Sequence, residues 1–142
     1  MAQRTFETLS EPESFALIGG EVVGRFVFND GEGPAAVPVN FGLAGKDIIF
    51  RTEKRTNWRE FLKGPVAFEV DFTDPASGWG WSVLVRGTGR EVDLNDVPAL
   101  LHASGKSLPH PWGDGVHDVW IAITPRQVTG RRLAKIHTAE IF

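Results

Sequence analysis

The chain has 142 residues, no cysteine, a net charge of −3 and a sequence pI near 5.8. Its length suits one domain, residues 1–142, that buries on the order of two thirds of its unfolded surface. The absent thiol excludes cysteine nucleophiles, thiolate-held zinc, iron–sulfur clusters and disulfides, and the acidic balance is the opposite of what a nucleic-acid binder or a polybasic membrane anchor needs.

The first ten residues are polar and read as a loosely held arm. MAQRTFETLSEPES lacks the apolar centre of a signal peptide, and no run in the chain approaches the ~18 apolar residues of a membrane span. The expectation is a soluble cytoplasmic protein with no membrane or nucleic-acid partner. Ser10 or Ser14 can cap a short helix, and Ser10 with Glu13 three residues later forms a capping-box pattern. Phe15, Leu17 and Ile18 supply an apolar helix face, and Gly19-Gly20 stops it. Val22–Asn29 then reads as a strand, closed by the hairpin signal Asn29-Asp30-Gly31.

Ala36–Leu43 and Asp47–Thr52 are the next two strands, with a turn at Ala44–Asp47. Pro38 inside the first of them marks an edge or a bulge, because proline cannot donate to a ladder. From Glu53 the period changes. Trp58, Phe61 and Leu62 share one helical face, Thr56 can cap it, and Gly64-Pro65 ends it. Val66–Phe72 alternates as a half-buried strand, Thr73–Gly80 reads as a loop, and Trp81–Glu91 is a strand kinked at Gly87 and Gly89. Asp93 or Asn95 opens another short helix through Val97, Leu100 and Leu101. A loop rich in Pro and Gly covers residues 105–115. Asp118–Ile123 is the last clear strand, with Pro125 interrupting it and Val128–Ile136 continuing as a strand or extended tail. Short strands in close succession with turns between them predict a mainly β protein. Its expected form is an antiparallel, Greek-key type barrel of six or seven strands with two or three short helices.

Chemistry concentrates in a few places. Arg51-Thr52-Glu53-Lys54-Arg55-Thr56-Asn57-Trp58 sets three cations and two hydroxyls at a strand end and a helix start. Unpaired N–H groups at a helix start, two threonine hydroxyls and a bidentate arginine suit a phosphate. A solvated charged turn is the plainer reading of such a run. Pro38-Val39-Asn40-Phe41 is an irregular strand that can open toward a ligand. Trp81-Ser82-Val83 and Trp79 can shape a pocket or anchor an interface. Trp112 sits in the Pro/Gly loop, where it can lid a site or pack the loop down. Arg131 and Arg132 can reach a phosphate or a carboxylate. Glu69 and Asp71 lie on one strand face and read as solvated acids. His102, His110 and His117 have no metal-site spacing. No hydrolase triad order, P-loop or dinucleotide glycine pattern is present.

Taken in order, PVNF, FRT, the amphipathic turn before GPVAFEVD, and GWSVLVRG resemble the FMN-binding split-barrel family, relatives of pyridoxamine 5′-phosphate oxidase. The likeness is greatest to the small flavoprotein branch that includes the nitroimidazole reductases. It covers Ser14–Glu91, with a weaker echo in ITPRQVTGRRL. It implies a split β-barrel, a homodimer, FMN as cofactor and an oxidoreductase acting on a small molecule. It places the flavin ring along Pro38, Val39, Asn40 and Phe41. The phosphate falls at Arg51, Thr52, Glu53, Arg55, Thr56, Asn57 and Trp58, and Trp81, Ser82, Val83, Trp112 and Arg132 lie close by or come from the partner. The family usually carries a lysine where this chain has Asn57. Binding of haem, of the deazaflavin F420 or of flavin without turnover, and loss of the cofactor from the dimer, are the alternatives the same resemblance allows.

Overall fold

The structure is a computed structural model that describes residues 2–53, 58–93, 95–97 and 118–137. Among the described residues, seven antiparallel strands and two short helices follow one another as β1 (Ala2–Leu9), α1 (Glu11–Ile18), β2 (Val23–Asn29), β3 (Pro34–Ala44), β4 (Asp47–Glu53), α2 (Trp58–Phe61), β5 (Val66–Asp74), β6 (Trp79–Val92) and β7 (Asp118–His137). The strand order is β1-β7-β4-β3-β2-β5-β6, and β6 also pairs with β7. That last pairing closes six strands into a barrel and leaves β1 outside it. β2, β3 and β4 form a meander and β5 returns to lie beside β2, which is the Greek-key arrangement.

The expected strands are present; β4 and β5 run one and two residues longer than the sequence suggests, β3 and β6 three longer, and β2 starts one residue later. Three expectations need correction. Residues 1–10 are not a loose arm: Ala2–Leu9 pairs along its whole length with Gly130–His137. Its sequence carries no apolar alternation, and its partner lies at the other end of the chain. The Thr73–Gly80 loop shrinks to a four-residue turn, because strand pairing runs to Asp74↔Trp79. The Asp74 carboxylate accepts from the Ala76 amide at 3.0 Å and from the Ser77 hydroxyl at 2.8 Å, which holds the turn tight. Pro125 does not break β7. The register slips between Arg86 and Gly87, where Gly87 faces Pro125 while Arg86 faces Gln127. The proline thus falls at an irregularity, where a missing N–H costs no regular rung. The helix through Leu100 and Leu101 lies largely outside the described residues.

The capping box is formed as read. The Glu13 amide donates to Ser10 Oγ at 3.2 Å, and Glu13 Oε1 accepts from the Ser10 amide at 3.0 Å. Inside the barrel the core is built from rings. Phe26 lies 4.8 Å from Phe50 and 4.9 Å from Phe28, and Phe68 lies 5.1 Å from Phe41, centre to centre. A second, smaller cluster sits on the outer face of β4 and β7. There Ile49, Trp120 and Ala122 are covered by Val97. Both faces of β4 are therefore buried in its middle, which explains the unbroken run Ile48-Ile49-Phe50. Among the described residues no helix is long and apolar enough to cross a membrane.

Gly87 is a steric requirement of this closure. A Cβ there would strike the Thr124 carbonyl and approach the Ile123 side chain at 3.2 Å. Gly87→Ala is expected to destabilise the protein by about 1–3 kcal/mol, the usual cost of overpacking. A urea midpoint equal to that of the parent would contradict it.

Candidate functional site

β3 and β4 are paired over only part of their length. Rungs run from Ala44↔Asp47 to Phe41↔Phe50 and stop. Beyond them Pro34–Asn40 pairs only with β2, and Arg51–Glu53 pairs only with β7. The barrel wall therefore splits between Asn40 and Arg51. The Phe41 amide donates to the Val22 carbonyl at 3.0 Å, so Phe41 points its backbone groups at β2. By antiparallel alternation Val39 does the same, while Pro38 turns its carbonyl toward the side that β4 has left. Proline fits there because its missing N–H removes no β2–β3 rung.

Side chains alternate likewise. Val39 and Phe41 point into the core, whereas Pro38 is exposed and Asn40 half-buried on the outer side. Arg51 shares the outer side, with its guanidinium 5.5 Å from the centre of the Trp120 ring. Thr52 is half-buried and points the other way, and Glu53 is exposed. Trp58 is a core residue. It is 1% exposed, its ring packs against Phe26, Phe28 and Phe61, and its Nε1 donates to the Glu53 carbonyl at 2.9 Å. Its work is to tie the start of α2 to the end of β4. Arg55, Thr56, Asn57 and Trp112 lie outside the described residues.

The remaining candidates gather elsewhere. Trp81 and Val83 point inward at 5% and 0% exposure, so only Ser82 of that trio presents its side chain outward. Arg131 Nε donates to Ser82 Oγ at 3.4 Å, and the Arg131 guanidinium lies 4.9 Å from the centre of the Phe6 ring. Arg132 is half-buried opposite Trp81, with Nη1 3.9 Å from Glu7 Oε2. Around the barrel the β3–β4 boundary lies opposite the β5–β6 boundary. Pro38–Phe41 and Arg51–Glu53 thus form one group, and Trp81–Val83 with Arg132 another.

One feature was not legible as a site. Arg25 of β2 stands opposite Glu69 of β5, and its Nη1 lies 3.3 Å from Glu69 Oε1 and 3.5 Å from Asp71 Oδ2. Burial first, then the proton and charge shared with Asp71, push the Glu69 carboxyl up from 4.5 to about 7, against the pull of Arg25. The two acids at i and i+2 were visible in the sequence, but the arginine beside them came from another strand.

With this geometry in place, comparison with known proteins identifies the chain's relatives. The pyridoxamine 5′-phosphate oxidase family model matches residues 10–132. The chain belongs to that family. An uncharacterized protein of Mycobacterium tuberculosis is 33% identical over 131 residues, covering 88% of this chain and 84% of its own length. The solved FAD-binding protein from Mycobacterium smegmatis superposes with a TM-score of 0.72 at 32% identity, covering 90% of this chain and 98% of that one. A conserved Corynebacterium diphtheriae protein of unknown function gives 0.71 at 28% identity, with 92% and 98% covered. The split barrel is thus the fold of this family, and its opening between β3 and β4 coincides with the motifs that carried the resemblance.

The Glu69 carboxyl sets a pH dependence. Its folded value is raised, so the folded state holds the proton more tightly than the unfolded chain. The stability this provides is complete below about 4.5 and is lost as pH rises through about 7. Glu69→Gln is expected to remove that decline. The melting temperature of the variant relative to the parent should climb between pH 5 and 8. Parallel curves would contradict the assignment.

Proposed function

We propose that this chain is the protomer of a homodimeric, flavin-dependent oxidoreductase that binds FMN and acts on a small molecule. The observation that carries the reading is the split between Asn40 and Arg51, in a chain 32% identical to a FAD-binding protein. A flavin ring needs hydrogen bonds along its polar edge and apolar cover over its faces. The opening offers the first through the Pro38 carbonyl and the second through the apolar wall of β3 and β4. Arg51 brings a guanidinium to the same outer side, suited to an anionic group, and the Arg51–Trp58 segment is where the phosphate belongs. The residues at the split fit the cofactor on these grounds.

A flavin, when bound, supplies hydride or electron transfer. The chain binds it, orients it and keeps water from its ring. Among the described candidate side chains at the split none is a histidine or a buried acid. Exposed Trp79 and Phe72, whose rings lie 5.3 Å apart beside Trp81, form the apolar surface expected to meet a second copy.

Mass spectrometry of the ligand released from purified protein is expected to give FMN. FAD would keep the flavin reading and correct the cofactor, whereas haem, F420 or no ligand would overturn it. The Arg51→Ala, Thr52→Ala double variant should bind FMN about 10–150-fold more weakly, the effect of losing a charge-assisted hydrogen bond. Unchanged affinity would remove Arg51 from the site. Asn57→Lys should tighten binding if the family's usual cation is what this chain lacks.

Light scattering is expected to give a mass of twice 15.6 kDa at micromolar concentration. Trp79→Glu should shift it toward the monomer. A parent that is monomeric throughout would contradict the dimer.

A further inference from the structure

Trp120 of β7 stands directly opposite Arg51 across the β4–β7 ladder, so the two side chains lie on the same outer face. The guanidinium carbon of Arg51 lies over the indole, 5.5 Å from the ring centre. The indole itself is fixed. It is 4% exposed and packs in one cluster with Ile49, Ala122 and Val97. On its other side Trp120 is paired with Val92 of β6, so its backbone is held from both neighbouring strands.

Arg51 is in need of such a support. Beyond Phe50, β4 is paired on the β7 side alone, so among the described residues β3 gives Arg51 no ladder partner. Ordering a long, rotatable side chain only when a ligand arrives subtracts from affinity. An aromatic face beneath the guanidinium does that ordering beforehand. The indole also leaves the positive charge in place, which a carboxylate at position 120 would neutralise. A cation–π contact consumes no N–H donor, so it does not compete with the oxygens of a ligand.

We propose that Trp120 is a positioning residue of the flavin site, whose indole holds the Arg51 guanidinium at the split in readiness for the anionic end of the cofactor. The inference rests on the flavin reading above and on Arg51 as the group that meets the phosphate. Trp120 acts through Arg51 and not by contact with the cofactor. Two consequences separate this from a role in packing alone. Trp120 matters for a flavin that carries a phosphate and not for one that lacks it. It matters only while Arg51 is present.

The test is titration of the full chain with FMN and with riboflavin, followed by quenching of flavin fluorescence. Trp120→Leu keeps apolar bulk and removes the aromatic face. It is expected to weaken FMN binding by about 3–30-fold, the range of a cation–π contact, and to change riboflavin binding by less than about twofold. Trp120→Met serves in its place if the Leu variant does not fold. Trp120→Phe, which keeps an aromatic face, should recover much of the FMN affinity. In an Arg51→Ala background, Trp120→Leu should cause no further loss. Equal losses for FMN and riboflavin would overturn the proposal, as would a full effect of Trp120→Leu without Arg51. A parent chain that binds neither flavin overturns the flavin reading and this inference with it. A parent that binds FMN, with a folded Trp120→Leu variant that binds it equally well, overturns this inference alone.

Discussion

The strand β7 holds the molecule together. Its 20 residues pair with β4 at one end, with β6 through the middle and with β1 at the other end. No other described strand is bonded to three partners that are not its chain neighbours by a short turn. Closing a sheet of six strands requires one of them to bend, and here the bend is the slip opposite Pro125, with Gly87 giving the room. Because β7 commits its first residues to β4, it draws Arg51–Glu53 away from β3. The split in the barrel wall is therefore a consequence of how the barrel is closed.

That constraint links fold to function. A regular closed barrel would satisfy every backbone group in its wall and leave no edge for a ligand. Ending the β3–β4 ladder at Phe41 and Phe50 exposes a strand edge on a rigid frame. The frame is rigid because the aromatic cluster of Phe26, Phe28, Phe50 and Trp58 sits directly behind it. Trp58 also bonds back to the Glu53 carbonyl, so α2 begins at a fixed place relative to the end of β4. A site made from such an edge suits a cofactor that does its own chemistry and needs only to be held and covered.

Much of this could be read in the sequence where the signal was local. Ser10 and Glu13 announced the α1 cap, Asn29-Asp30-Gly31 the first hairpin, and Pro38 an edge. Each depends on neighbours within a few residues. The misreadings fall where distant segments decide. β1 shows no apolar alternation and gains its partner only when Gly130–His137 folds back beside it. Trp58 stands beside a cation-rich turn in the sequence, and only Phe26 and Phe28 from β2 show how deeply it is buried. Glu69 and Asp71 looked solvated because nothing near them in sequence shows that Arg25 stands across the ladder. Pro125 looked like a stop because the slip that accommodates it belongs to β6 as much as to β7.

The account's central claim is that the split between Asn40 and Arg51 is where the flavin ring lies. Hydrogen–deuterium exchange with and without FMN tests it most directly. Protection is predicted at the amides of Asn40 and Glu53, with little change at Val39 and Thr52, whose amides are already engaged with β2 and β7. No protection at the split, or protection confined to the β5–β6 face around Ser82, would contradict the account.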